Sequence, residues 1–135
     1  MWQRVQTLYL LVANLCLLTL LSFAPVLAPA LRALPWIGWL WWGLPTGALL
    51  LASAAIGVFR NRRLQMALVR LAAILTAGAA GLSLALIFNL ELYRLRPLAA
   101  FGVGILPIMG YLLLSAARRA IWRDEQALQR THRLR

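Results

Sequence analysis

The sequence predicts an all-α integral membrane protein with four transmembrane helices arranged as two hairpins, the fourth helix extending into the cytoplasm. Hydrophobic residues make up 63% of the chain and charged residues 13%, whereas an ordinary soluble domain carries about 25% charged residues. The apolar residues form four runs, and a helix needs about 20 such residues to cross the hydrocarbon. We therefore treat residues 1–135 as a single membrane domain with spans at about residues 5–29, 35–59, 64–90 and 98–118.

The first run extends from Val5 to Leu31 without a charged residue. It is longer than the core of a signal peptide, which has about 7–15 residues, so we expect a retained span rather than a cleaved leader. Pro25 and Pro29 are expected to end this helix, because proline lacks the backbone donor and its ring meets the preceding turn. Arg32 is then expected in a brief connection.

The second run begins at Pro35, a residue suited to the first turn of a helix, and reaches Phe59 without charge. Gly43 and Gly47 are spaced for the close approach of another helix, and Pro45 between them predicts a kink. Tryptophans crowd the beginning of the run: Trp36, Trp39, Trp41 and Trp42. Such a belt is typical of the membrane–water interface, and an aromatic cage for a cationic ligand is the alternative interpretation.

The third run, residues 64–90, follows a basic turn formed by Arg60-Asn61-Arg62-Arg63. Arg70 lies one to two turns from the basic end of this run, where its guanidinium can reach the headgroups by snorkelling. Small residues recur at every fourth position and form a smooth face suited to packing against a helix: Ala73, Ala77 and Gly81.

The fourth run, residues 98–118, follows a connection at residues 91–97 and contains glycines and a proline that predict a bent helix. From Arg118 the chain becomes polar but remains permissive for helix, so residues 119–135 are expected to form a cytoplasmic helical tail. Asp124 and Glu125 have no arginine three or four residues away with which to pair inside the tail. We hypothesise that they clamp the tail against the basic turn; the alternative is that both acids are simply solvated.

All 14 basic residues are arginine. Their unequal distribution between the two sides of the membrane predicts the orientation. If the four runs cross the membrane, one side holds ten of them: Arg4, Arg60, Arg62, Arg63, Arg118, Arg119, Arg123, Arg130, Arg133 and Arg135. The other side holds three: Arg32, Arg94 and Arg96. Cytoplasmic loops carry the excess of basic residues, so we expect both termini in the cytoplasm and the protein in the bacterial inner membrane. We attribute the net charge of +11 to anchoring on anionic headgroups rather than to binding of nucleic acid.

The sequence contains few of the residues on which most catalytic and metal sites depend. Cys16 is the one cysteine and His132, in the tail, is the one histidine, so neither a disulfide within the chain nor a bis-histidine haem can form. No run contains the carboxylate that a proton-coupled exporter needs as a relay. We therefore expect no cofactor, no metal and no enzymatic activity.

Three segments carry a resemblance to a known family. Residues 2–11, the stretch Arg62-Arg63-Leu64-Gln65, and above all residues 119–125 with the final Arg133-Leu134-Arg135 resemble a family of small Bacteroidota membrane proteins, domain of unknown function 4293. The chain departs from that family's pattern at residues 126–132. The resemblance covers essentially the whole chain and implies four spans in the inner membrane, without implying a substrate, cofactor or catalytic residue.

The helix faces of small residues, together with the absence of reactive groups, predict an interaction or accessory subunit of a larger membrane complex. Its expected partners are the lipid bilayer and another membrane protein. One alternative is a small transporter or channel, which would need a polar path. The plausible liners of such a path are Asn14, Thr76, Asn89 and Arg70. Another alternative is an adaptor for anionic lipid or a protein partner at the cytoplasmic face, with the arginine tail as its electrostatic patch.

Overall fold

The computed structural model describes residues 2–89, 94 and 96–133, and that part of the chain contains five helices. They are α1 (Trp2–Ser22), α2 (Ala24–Ala33), α3 (Pro35–Gly57), α4 (Arg62–Asn89) and α5 (Pro97–Arg133). The predictions that concern residues 90–93, 95, 134 and 135, and those for the side chains of Arg4, His132 and Arg133, lie outside the described residues and atoms.

Four of these helices are long and apolar enough to cross a membrane, through the segments Val5–Ser22, Pro35–Gly57, Arg62–Asn89 and Pro97–Thr131. Large apolar side chains cover their outer faces: Leu15, Trp39, Phe88 and Phe101 are 63%, 81%, 70% and 66% exposed. A soluble monomer rarely presents so much apolar surface to water, whereas lipid accepts it. The predictions of an all-α fold and of four helices long and apolar enough to cross a membrane are confirmed.

The first predicted helix is interrupted before either of its prolines. α1 and α2 are separated by Phe23 alone, and Pro29 lies inside α2. The prediction that Pro25 and Pro29 end the helix is therefore wrong for Pro29. Arg32, which was expected in a connection, occupies the last turn of α2.

Pro25 explains where the interruption falls. Its nitrogen carries no proton, so the carbonyl four residues earlier, that of Leu21, has no helical donor. The chain turns at Phe23 instead: the Phe23 N–H donates to the Leu20 carbonyl at 3.1 Å, and the Val26 N–H donates to the Phe23 carbonyl at 3.0 Å. These tighter bonds over three residues are those of a 3₁₀ turn, and they replace the α-helical pattern at the junction.

α3 begins at Pro35 as the sequence predicts and includes the buried Pro45. α4 begins in the basic turn, where the Oδ1 atom of Asn61 accepts a hydrogen bond from the N–H of Leu64 at 3.2 Å. Asparagine at this position satisfies a backbone donor that the first turn of a helix otherwise leaves unpaired. The cap places Arg62 in the first turn of α4. α5 is one continuous helix up to Arg133, as expected for a fourth span that runs on into a helical tail.

The tryptophan belt divides into two environments. Trp36, Trp39 and Trp42 are exposed, whereas Trp41 is buried in the core. Because Trp41 faces inward and the other three face outward, this distribution favours an interfacial belt over a common aromatic cage.

Each of the four long helices packs against two others, since α1 and α4 both contact α3 and α5. The core has two clusters along the bundle. The cluster nearer the basic turn includes Leu10, Ala52, Val69, Leu114 and Ile121, and the other includes Leu20, Trp41, Leu86 and Val103. This packing brings the first turns of α4 and the last turns of α5 to the same end of the bundle, which we call the basic end.

Candidate interaction site at the basic end of the bundle

The structure brings one arginine of the basic turn to one acid of the tail. The Nη2 atom of Arg62 lies 2.9 Å from the Oδ2 atom of Asp124, and the two side chains are 26% and 19% exposed. Arg60 and Arg63 are exposed. The Oε2 atom of Glu125 is buried and has no hydrogen-bond partner among the described residues. Of the residues suggested for a clamp, Arg62 and Asp124 are therefore the two that the structure pairs directly.

A cavity of about 360 Å³ lies beside this ion pair, lined by α1, α3, α4 and α5. Gln6 and Gln65 line it and are 4% and 6% exposed. The Nε2 atom of Gln6 and the Nη1 atom of Arg62 are buried and lack an acceptor among the described residues. Buried N–H donors are nearly always paired, so this cavity is suited to a small group that offers oxygen atoms.

Sequence reasoning missed both glutamines, although a signal for them was present. Gln6 precedes Leu10 by four residues, and Gln65 precedes Val69 by four, so each lies on the buried face of its helix. A polar residue four positions from a buried apolar one lies on the same helix face, so it is expected to be buried rather than exposed to solvent.

The predicted packing faces divide between contacts inside the bundle and open surface. At Gly47 a Cβ atom would lie 3.1 Å from a methyl group of Leu75, so this glycine serves the contact between α3 and α4. At Gly43 a Cβ atom would meet nothing within 4 Å, and the residue is exposed. Gly43 and Gly47 therefore do not act together at one interface within the chain.

On α4 the open face is displaced by one turn from the predicted one. Ala73 is partly buried against the core, whereas Ala77, Gly81 and Ala85 are exposed, and a Cβ atom at Gly81 would meet nothing within 4 Å. We call Ala77, Gly81 and Ala85 the outer stripe of α4. Ala77 and Gly81 belong to the face predicted from the sequence, whereas Ala85 was not predicted.

The four polar residues considered as pore liners do not face a common path. The Nδ2 atom of Asn14 donates to the Oγ atom of Ser53 at 3.1 Å, across the interface between α1 and α3. Thr76 and Asn89 donate to backbone carbonyls one turn earlier in α4, at 2.8 Å and 2.7 Å. Thr76 is buried, whereas Asn89 and Arg70 are exposed.

A groove of about 950 Å³ lies between α4 and α5 at the basic end, and we call it the α4–α5 groove. Four arginines line it: Arg70 from α4, and Arg118, Arg119 and Arg123 from α5. Its remaining lining consists of small, aliphatic and aromatic residues, including Ala73, Ala77, Ser115, Tyr111 and Trp122. Among the described lining residues none is acidic. In the sequence, Arg118, Arg119 and Arg123 were used to predict the orientation and Arg70 was interpreted as snorkelling, and nothing there grouped the four as one site.

Carboxylate, thiol and imidazole groups do not gather anywhere in the described part of the chain: no three of them lie close enough to hold a metal ion. The guanidinium and amide donors at the basic end are suited to binding anionic or oxygen-rich groups.

One protein-family model matches the chain over residues 36–134, and its description reads "Domain of unknown function (DUF4293)". The matched segment contains nearly all of α3 and the whole of α4 and α5, and with them the basic turn, the outer stripe and the α4–α5 groove. Neither the curated proteins nor the solved structures contain a match to this chain.

Proposed function

The chain belongs to the DUF4293 family, and from that premise we propose that it is an accessory subunit of a larger complex in the bacterial inner membrane. In this proposal the long helices cross the membrane as two hairpins, with both termini in the cytoplasm. The basic end then faces the cytoplasm because basic residues concentrate on that side. The subunit contributes a docking face rather than a catalytic group.

The outer stripe of α4 is the observation that carries this proposal. Within the chain, small residues are used where helices approach closely, as at Gly47 beside Leu75. The members of the outer stripe also lie four residues apart and are exposed, and a Cβ atom at Gly81 would meet nothing within 4 Å among the described residues. Small residues at this spacing let the backbone of another helix come close, which strengthens packing inside a bilayer. We therefore assign the outer stripe to one transmembrane helix of a different membrane protein.

The outer face of α1 supplies a contrast. Its exposed positions carry large leucines, with Leu8, Leu11, Leu15 and Leu18 between 52% and 63% exposed. Large, flexible side chains pack well against lipid tails, but they prevent the backbone of another helix from coming close. The two faces thus differ in side-chain volume, and this difference favours α4 over α1 as the docking face.

The transporter alternative has less support, because its polar residues are already bonded or lie on different faces. Asn14 is held by Ser53, and Thr76 is bonded to its own helix. A conducting path needs polar groups that face one another along the bundle axis.

Photo-crosslinking in native membranes tests the proposed docking face. In a Cys16→Ser background, Gly81→Cys would carry a benzophenone maleimide, and Leu18→Cys on the outer face of α1 is the matched control. The proposal expects a protein adduct at position 81 and none at position 18. Its mass should differ from twice the 15.0 kDa of the chain. An adduct of twice that mass would indicate self-association instead, and equal adducts at both positions would contradict a defined face.

A further inference from the structure

We propose that the α4–α5 groove is a binding site for one anionic phospholipid. The arginines hold the phosphate of its headgroup, and the acyl chains leave along the apolar part of the groove. This inference goes beyond the accessory role, and it stands whether or not a protein partner occupies the outer stripe.

The charge in the groove is concentrated and uncompensated. Arg119 and Arg123 are four residues apart on α5, so their side chains are neighbours on one face. Arg70 faces them from α4. None of the groove arginines has an acidic partner among the described residues. Like charges at this spacing repel one another on an isolated helix, so an anion that joins them stabilises the arrangement.

The nearest acid in the sequence is kept away from the groove. Asp124 directly follows Arg123, yet its carboxylate is bonded to Arg62 and lines the cavity on the other side of α5. The ion pair at the basic turn therefore leaves the positive charge of the groove available for a ligand.

The lining of the groove changes along its length, and this change identifies the ligand as an amphiphile. Arg118, Arg119 and Arg123 lie in the polar, C-terminal part of α5, and Trp122 beside them is an amphipathic side chain typical of the headgroup region. Toward the middle of the bundle the lining becomes apolar, with Ile74 and Ala77 on α4. A free phosphate would use the arginines alone, whereas a phospholipid uses both parts.

The size of the groove agrees with this assignment. Its volume of about 950 Å³ is near the upper end of the range for ligand pockets, roughly 300–1,000 Å³. Basic pockets between transmembrane helices at the cytoplasmic side are suited to phosphate-bearing headgroups. The groove ends at Ala77, so Gly81 and Ala85 remain outside it and a lipid there leaves most of the outer stripe free.

Lipid binding to the purified, delipidated full chain tests the site without any protein partner. We would titrate phosphatidylglycerol into the protein in a mild non-ionic detergent and follow bound lipid by native mass spectrometry and thermal stability. We expect one tightly bound phosphatidylglycerol per chain and a higher melting temperature. Phosphatidylcholine and soluble glycerol phosphate should give neither effect.

Two matched pairs of substitutions distinguish a specific binding site in the groove from a diffuse electrostatic effect of the net positive charge. Arg70→Gln with Arg119→Gln removes two groove arginines, and we expect affinity for phosphatidylglycerol to fall at least about tenfold. Arg60→Gln with Arg63→Gln removes the same charge from exposed positions outside the groove, and we expect affinity to stay within about twofold. Equal losses in the two variants would overturn the site, because they would indicate a diffuse electrostatic effect.

A further variant tests the apolar part while keeping every charge. Ser115→Leu adds volume to the lining of the groove, and we expect it to weaken phosphatidylglycerol binding although all four arginines remain. Unchanged binding in this variant would overturn the proposal that the acyl chains lie in the groove. Binding of glycerol phosphate as tight as that of the lipid would equally contradict a phospholipid ligand.

Discussion

The Nη2 atom of Arg62, in the first turn of α4, lies 2.9 Å from the Oδ2 atom of Asp124, near the end of α5. The two side chains are about three-quarters or more buried, so solvent and salt screen this pair less than a fully exposed one. The pair has two consequences for the basic end. It ties the tail of α5 to the basic turn, and it withholds the carboxylate of Asp124 from the arginines of the α4–α5 groove.

Separating this ion pair should destabilise the basic end. We expect Arg62→Ala and Asp124→Ala each to lower the free energy of unfolding by about 1–2 kcal/mol, between the values for an exposed ion pair and for a charged hydrogen bond. The exchange of Arg62→Asp with Asp124→Arg should recover part of the loss. Thermal denaturation in detergent measures the change, with Arg63→Ala, an exposed arginine in the same turn, as the control. A swap variant no more stable than the single variants would contradict a specific pairing.

The sequence was sufficient to predict the number of long apolar helices and the continuity of α5. Both depend on run length and on the absence of strong helix breakers between Arg118 and Arg133, which are local properties. The break at Phe23 was not predicted. Pro25 removes a hydrogen bond from the turn that precedes it in the chain, whereas Pro29 is accommodated inside α2 without ending the helix. A proline marks a weak point in a helix without specifying which neighbouring turn opens.

Which face of each helix is buried in the bundle could not be predicted from the sequence either. Ala73 and Ala85 have the same side-chain size, yet Ala73 packs against the core and Ala85 is exposed. In a chain whose inner and outer faces are both apolar, hydrophobic periodicity gives little rotational information, and packing between helices decides it. For the same reason the grouping of Arg70 with the arginines of α5 appears only once α4 and α5 are packed.

Gly102 and Gly81 should respond in opposite ways to the addition of a methyl group. A Cβ atom at Gly102 would lie 2.7 Å from the Cζ atom of Phe23, whereas at Gly81 it would meet nothing within 4 Å. We expect Gly102→Ala to destabilise the bundle by about 1–3 kcal/mol through overpacking. Gly81→Ala should be neutral or stabilising by up to about 1 kcal/mol, because alanine favours helix more than glycine does.

A second substitution identifies the cause of the Gly102→Ala effect. Phe23→Leu combined with Gly102→Ala should regain stability relative to Gly102→Ala alone, since the shorter side chain makes room for the new methyl group. Melting temperatures of the single and double variants in the same detergent measure this coupling. Additive effects would indicate that the ring of Phe23 is not the obstacle.

Removing only the acceptor of the hydrogen bond between Asn14 and Ser53 should destabilise the protein more than replacing both partners by apolar residues. Ser53→Ala takes away the acceptor at 3.1 Å from the Asn14 amide, whose Oδ1 atom is already buried without a partner among the described residues. We expect a loss of about 1 kcal/mol, the usual scale for such bonds between membrane helices. Asn14→Leu combined with Ser53→Ala should be closer to wild type, because no buried amide is then left unpaired. A double variant less stable than Ser53→Ala would contradict this account.

The side of the membrane that holds the basic end is the central claim for this protein, and cysteine labelling measures it. In a Cys16→Ser background, Arg60→Cys, Arg96→Cys and Gln126→Cys place one thiol each in the basic turn, just before α5 and in the tail. With a membrane-impermeant maleimide, we predict that position 96 reacts in intact spheroplasts and that positions 60 and 126 react only after the inner membrane is opened. Labelling of positions 60 and 126 in intact spheroplasts, with position 96 protected, would contradict the orientation, and equal labelling of all three would contradict the four crossings.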